Sequence, residues 1–258
     1  MGFSRGMRAL SSVSSVRWHS ADDGFTVPTG GTMEHDFWHE RWSDGRIGFH
    51  EGRPNAFLAR HVEVLGPPPG PAVEASPSLR RSILVPLAGK SQDLVYLASK
   101  GFTVVGVELS AKAVADFFAE NGLVPTVATV GPFEVWSAGR IAMFVGDFFA
   151  LAPEHLAAVA TITALYDRAA IVALPPEMRA RYAAHVRTLL APGTPGLIVT
   201  FDYPQELSDG PPFSVPGAEL RRLYEGLAIE EIDSAMADAP RLRDLGITCV
   251  ERCFTVRF

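Results

Sequence analysis

Residues 83–110 read ILVPLAGKSQDLVYLASKGFTVVGVELS, and this stretch decides the fold. Ile83–Pro86 is a short apolar run of strand character, Ser91–Lys100 carries a helical period, and Thr103–Glu108 is a second β-branched run. Ser110 then stands where a helix cap belongs, opening a helix to Asn121. A strand, turn, helix and strand in about 30 residues form a crossover unit, and crossovers of this size join parallel strands.

Working outward, the alternation continues. Phe133–Ala138 and Ile141–Val145 read either as a hairpin over Ala138-Gly139 or as a strand entered from a loop. Thr161–Tyr166 is a strand, Pro175–Leu190 a long helix and Gly196–Asp202 a strand. Gly210-Pro211-Pro212 interrupts the chain before a helix over Ala218–Leu227. Ala228–Ser234 and Gly246–Val256 close the chain as two antiparallel strands. Upstream, Thr32 caps a helix to Trp42 that sets Trp38 and Trp42 on one face, and Pro54 opens a helix through Leu65. Strands alternating with helices imply a doubly wound, mostly parallel α/β sheet, with N-terminal helices and a C-terminal antiparallel hairpin added.

The 258 residues suffice for one large domain, expected over 33–258. Gly66–Arg81 is a Pro-rich surface loop within it. Charge is 23 Lys and Arg against 29 Asp and Glu, a net of −6 without a basic block, which argues against nucleic acid as a partner. No apolar run reaches the ~18 residues of a membrane span. Cys249 and Cys253 make no disulfide framework and read as free packing thiols of a soluble intracellular protein. Nothing demands more than a monomer. The first 20 residues hold Arg5, Arg8, Arg17 and six serines with no acid, the composition of an organellar transit peptide, mitochondrial first, or of a disordered tail.

Ligands of an open α/β sheet bind beyond the carboxyl ends of its strands. Glu108 lies about 20 residues past the first strand's turn, where a nucleotide-binding sheet places a carboxylate for ribose hydroxyls; the alternative is a solvated acid at a helix start. The turn itself, Leu87-Ala88-Gly89-Lys90-Ser91, has one glycine. It lacks G-x-G-x-x-G, and Leu84 stands where a phosphate-binding loop needs its first glycine. An adenosine ligand without phosphates, S-adenosylmethionine, fits better. Asp147 either meets an adenine edge or caps a helix over Phe148–His155. Arg168 either holds an anion or makes a surface salt bridge. His35 and His39 have a metal-compatible spacing but no third ligand, so no metal is expected; His50 is a proton acceptor or a loop-fixing residue.

These residues fall in blocks that resemble the thiopurine S-methyltransferases, class I S-adenosylmethionine-dependent methyltransferases. The blocks are Phe37–Trp42 with Ile47–His50 (FWHERW and IGFH), Val85–Asp93 (VPLAGKSQD) and Val105–Ser110 (VGVELS). They continue with Gly146–Phe149 (GDFF), Tyr166–Leu174 (YDRAAIVAL) and Gly210–Val215 (GPPFSV). The resemblance implies a seven-stranded Rossmann-like sheet and methyl transfer to the thiol or thione sulfur of an aromatic or heterocyclic compound. It implies cofactor contacts from Trp42, Leu87, Glu108 and Arg168, an N-terminal cover from Trp38 and Phe49, and an adenine-side turn at Gly146 and Asp147. It further implies an acceptor-side arginine, for which Arg241 matches and Arg243 competes. The family's turn usually reads PLCGKS; Ala88 stands in place of the cysteine, so any role of that thiol is lost.

On this reading Arg168 and Arg241 hold an anionic acceptor while Trp38, Trp42 and Phe49 form an apolar lid. Two other readings stay open: a methyltransferase for small acceptors (halide, thiocyanate, hydrosulfide, selenium or tellurium species) and a non-catalytic cofactor-binding homologue.

Overall fold

A computed structural model of the chain describes residues 38, 42, 52–67, 81–168 and 170–258. The readings placed on 1–20, on His35 and His39, on Phe49 and His50, and on the centre of the Pro-rich loop lie outside these residues.

The crossover read from residues 83–110 is present: β1 (Ser82–Val85) leads through helix α2 (Gln92–Ser99) to β2 (Thr103–Glu108), which pairs parallel to it. Helix α1 (Ala56–His61) precedes β1 and runs on into a 3-10 turn, Val62–Leu65. After β2 come α3 (Ala111–Glu120), the strands β3 (Thr126–Val130), β4 (Phe133–Ala138) and β5 (Ile141–Val145), and the short α4 (Pro153–Ala157). The chain then forms β6 (Ile162–Arg168), α5 (Pro176–Leu189), β7 (Pro195–Asp202) and α6 (Gly217–Leu223). It ends with β8 (Ala228–Met236), α7 (Pro240–Asp244) and β9 (Val250–Arg257).

The sheet has nine strands in the order β3-β4-β5-β2-β1-β6-β7-β9-β8, which corrects the expected seven. From β5 to β7 all neighbours are parallel. Residues 133–145 resolve as the antiparallel hairpin β4–β5. Thr126–Val130, unread in the sequence, adds an edge strand to that hairpin. It escapes notice because Thr126–Thr129 are exposed on both faces, so no apolar alternation marks it. At the other edge β9 runs antiparallel between β7 and β8, as expected of a terminal hairpin.

Alternate residues of the central strands feed two separate cores. Leu84, Val105, Leu165 and Ile198 face one side, packed with Met178, Tyr182, Val186 and Leu220 from α5 and α6. Ile83, Val85, Val104, Tyr166 and Val199 face the other, against Phe57 and Leu58 of α1, Leu94 and Leu97 of α2, and Phe117 and Phe118 of α3. Helices on both faces define the doubly wound plan, and each fully buried side chain of this size contributes about 1.5–3 kcal/mol. Local capping fixes where the helices start: Ser91 Oγ accepts from Asp93 N at 3.1 Å and Ser110 Oγ from Ala113 N at 3.3 Å. Both caps sit just past strand ends, so they fix the turns that form the carboxyl edge. The two thiols are buried packing groups: Cys253 lies in the α1–α3 core and Cys249 in a small cluster with Tyr203, Leu242 and Ile247. Burial pushes them up to about 12 and about 11 respectively.

Candidate active site

Strand order reverses around β1, which has β2 on one side and β6 on the other. The crevice beyond the carboxyl ends of these strands is where an α/β sheet binds its ligand. The β1 turn is held there by Glu108, the last residue of β2. One carboxylate oxygen accepts from Gly89 N at 2.9 Å and the other from Ser110 N at 2.9 Å. Glu108 is 7% exposed, and burial raises its pKa above the ordinary carboxylate range, while the N–H groups of Ser110, Gly89 and Leu109 pull it back. A carboxylate has about four acceptor sites, so capacity for a further donor remains beside these backbone N–H groups. The alternative of a solvated acid is therefore excluded by its burial.

The turn is unusual in its backbone. Leu87 has φ of 45°, and Gly89 follows with φ of 54°. A left-handed leucine costs about 1–2 kcal/mol, and such strain gathers at ligand clamps. Ala88 N donates to Val107 O at 2.9 Å, and a Cβ on Gly106 would lie 3.3 Å from the Ala88 Cβ. The small residue at 88 thus lets the turn lie flat on β2. Trp42, helical and 3% exposed, lies over the other side: a Cβ on Gly89 would sit 3.3 Å from Cζ2 of its ring. Trp38 is also helical and half-buried.

At the end of β5, Gly146 takes φ of 151°, and a side chain there would strike the Phe133 ring at 2.7 Å. Its N–H donates to Glu108 O at 2.9 Å, tying this turn to the end of β2. Asp147 Oδ1 accepts from Phe149 N at 2.8 Å, so the capping alternative describes that oxygen. The capped element is a 3-10 turn, Phe148–Ala150, rather than a helix to His155.

On the β6 side, Arg168 is the final strand residue, part-exposed and on the same face as Tyr166. Asp167 points to the opposite face and is fully buried. It accepts from Tyr182 Oη at 2.8 Å and Ile171 N at 3.2 Å, so it fixes the chain reversal after Arg168. Burial pushes its carboxyl up to about 6, against the pull of Tyr182 and of the Ile171 and Ala170 N–H groups.

Segment 210–215 closes the edge between β6 and β7. Phe213 N donates to Val172 O at 2.6 Å and Val215 N to Phe201 O at 2.7 Å. Tyr203 Oη donates to Pro212 O at 2.5 Å, and Arg241 on α7 donates from Nη1 to Pro211 O at 2.8 Å and Gly210 O at 3.2 Å. Arg243 instead pairs with Asp238 at 3.2 Å on the surface. The buried Arg179 holds the same segment from behind, donating to Leu174 O at 2.9 Å, Ser214 O at 3.1 Å and Glu219 Oε1 at 2.8 Å. Neither Tyr203 nor Arg179 stood out in the sequence, because single polar residues in strand ends and helices carry no periodic signal.

An open, mostly parallel sheet whose first turn lacks the glycine pattern of a phosphate loop and whose second strand ends in a buried acid has the plan of a class I methyltransferase. Solved structures agree on the fold. The S-adenosylmethionine-dependent methyltransferase of Anabaena variabilis is 16% identical, with a TM-score of 0.55 over 86% of this chain and 94% of that one. The 1,6-didemethyltoxoflavin-N1-methyltransferase of Burkholderia thailandensis, solved with S-adenosylhomocysteine, is 17% identical with a TM-score of 0.50, over 90% of this chain and 92% of that one. Residues 33–257 match the family model for thiopurine S-methyltransferase, and the chain belongs to that family. The thiopurine S-methyltransferase of Pseudomonas entomophila is 45% identical over 225 residues, 86% of this chain and 98% of that protein.

The protein is accordingly an S-adenosylmethionine-dependent methyltransferase, and the described residues fit that cofactor. Glu108 is a buried acceptor at the carboxyl ends of β1 and β2, Leu87 stays part-exposed at the turn beside it, and the Trp42 ring lies against Gly89.

Proposed function

We propose that the protein transfers the methyl group of S-adenosylmethionine to the thiol or thione sulfur of an aromatic or heterocyclic compound. The observation that carries this reading is the Glu108-braced turn beneath Trp42, in a chain of the thiopurine S-methyltransferase family. When bound, the cofactor supplies an electrophilic sulfonium methyl. The protein's part is orientation and exclusion of water. Glu108 would hold the ribose hydroxyls and the Leu87–Gly89 backbone the amino-acid end, with Arg168 beside it. Gly146 and the second oxygen of Asp147 would border the adenine. Trp38, Trp42 and Phe49 would cover the crevice and keep it dry. Arg168 and Arg241 would face an acceptor that is already anionic, because an aromatic thiol is largely ionised near pH 7 and needs no strong base. Arg241 has the better claim over Arg243, since it is bound to the wall that 210–212 forms.

The acceptor is small and soluble on this reading, and the protein acts as a monomer. Among the described residues no helix is long and apolar enough to cross a membrane. A cytoplasmic site of action is the simplest proposal. The relatives named above are bacterial, and they lend no support to a mitochondrial destination for the Arg- and Ser-rich N-terminus.

The test is methyl transfer from labelled S-adenosylmethionine to 6-mercaptopurine, thiophenol, hydrosulfide, selenite and iodide, measured in parallel. Label on the two aromatic thiols is the expected result. Label on the small anions alone would overturn the proposal in favour of a small-acceptor enzyme, and cofactor binding without transfer to any acceptor would favour a non-catalytic homologue.

A further inference from the structure

The start of α1, the first turn of α2 and the strand β6 meet at one buried carboxylate that the mechanism above does not use. Asp93, in the first turn of α2, is 2% exposed. An acid at this position gains from the helix N-terminus, but a surface residue would gain the same, so its burial needs another reason. Its Oδ1 accepts from the backbone N–H of Asn55 at 2.7 Å and its Oδ2 from the hydroxyl of Tyr166 at 2.9 Å.

Each partner belongs to a different segment. Asn55 caps α1, its Oδ1 accepting from Phe57 N at 2.9 Å and Leu58 N at 3.3 Å. Its Nδ2 donates to Glu251 Oε1 at 2.9 Å on β9. It therefore fastens the start of α1 to β9. Tyr166 stands two positions before Arg168 on the same face of β6, so its hydroxyl bond fixes the strand surface from which Arg168 leaves. The hydroxyl pKa is raised by burial first, then by Asp93, with Arg168 opposing, so it stays a donor. Asp93 itself belongs to the helix that starts at the Gly89 turn, through the Ser91 cap.

We infer that Asp93, bonded to Asn55 and Tyr166, is a positioning residue that sets the cofactor turn, the start of α1 and the Arg168 strand relative to one another. Its carboxylate is buried against Asn55 and Tyr166, so it acts through the three segments it joins. This rests on the proposed cofactor site at Glu108, but it concerns residues outside that site. A single carboxylate accepting from two elements distant in sequence, while held in a third, leaves no element free to shift alone.

The test measures S-adenosylhomocysteine affinity by calorimetry on the full chain, so no acceptor is needed. The variants are Asp93→Asn, Tyr166→Phe and the two combined, each also followed by urea unfolding. Asp93→Asn should weaken binding about tenfold and Tyr166→Phe about threefold to tenfold. The double variant should be no weaker than Asp93→Asn alone, because both break one unit. Tyr166→Phe removes a single oxygen and keeps the result decisive should Asp93→Asn not fold. Single variants that are folded at the assay temperature and bind within twofold of wild type would overturn the inference, leaving Asp93 with a role in stability only. So would a double variant whose loss is the product of the two single losses. A wild type that does not bind S-adenosylhomocysteine would instead remove the cofactor site on which the inference rests.

Discussion

Replacing Glu108 by glutamine changes one atom and tests the cofactor turn directly. The carboxylate receives two backbone N–H groups at 2.9 Å, one from each turn it spans. Glutamine keeps one oxygen, so its amide must direct N–H toward either Gly89 or Ser110, leaving a buried donor unmatched. An unsatisfied buried group costs about 1–3 kcal/mol, and a hydrogen bond to a charged partner contributes about 1.5–3 kcal/mol. The first loss appears in the apo protein as a drop of roughly 2–12 °C in Tm, at about 2–4 °C per kcal/mol for a domain of this size. The second appears only with cofactor, because the ribose hydroxyls lose a charged acceptor. It corresponds to roughly 10–100-fold in Kd, at 1.4 kcal/mol per tenfold. Calorimetric titration with S-adenosylhomocysteine and a thermal melt of the same samples separate the two. A variant that loses thermal stability yet binds within twofold of wild type would refute the ribose role and leave Glu108 a brace for the turn. Burial raises the Glu108 pKa, so wild-type affinity should also weaken as pH falls through that raised value, a dependence that Glu108→Gln should abolish.

Other variants address separate parts of the site. Gly89→Ala meets both a left-handed φ of 54° and the Trp42 ring at 3.3 Å, whereas Gly122→Ala at φ of 63° meets open space. Both should cost about 1–2 kcal/mol in stability, but only Gly89→Ala should weaken cofactor binding; equal affinities would remove Trp42 from the site. The Asp167 carboxyl, at about 6 in the fold against an ordinary 3.8, is bound by its proton more tightly when folded than when unfolded. Its contribution to stability is therefore fullest below 3.8 and is lost as pH rises through 6, by about 3 kcal/mol in all. Urea midpoints of Asp167→Asn should consequently fall less than those of wild type between pH 4 and 7, and parallel profiles would contradict the assignment. Arg243→Ala breaks only exposed pairs, with Asp238 and Asp244, and should leave turnover and stability unchanged within about 0.5 kcal/mol, while Arg241→Ala releases Gly210 and Pro211 and should raise the acceptor KM. Equal KM values for the two variants would contradict that assignment.

The parallel core was legible because each crossover shows a change of period, from the buried run of β1 to the helical spacing of α2 and back at β2. The edge was less so. Thr126–Val130 pairs with β4 through its backbone, and pairing of that kind leaves no mark on side-chain type. Glu108, Leu87 and Gly146 were legible as strand-end residues, but the left-handed φ at Leu87 follows from the turn's closure against β2. Arg241 and Arg243 could not be separated on a five-residue helix until their partners 210–211 and 238 were known. Asp93 and Tyr166 lie 73 residues apart, and Asn55 reaches Glu251 across 196, so their meeting depends on the fold alone.

The most direct measurement of the central claim is the position of the transferred methyl group. Wild-type protein, S-adenosylmethionine carrying a deuterated methyl and 6-mercaptopurine would be incubated and the product examined by mass spectrometry and NMR. A single deuteromethyl group on the exocyclic sulfur is expected, formed at a rate that Glu108→Gln lowers in parallel with cofactor affinity at sub-saturating cofactor. A methyl group on a ring nitrogen, or no transfer to this thione while the cofactor binds tightly, would contradict it.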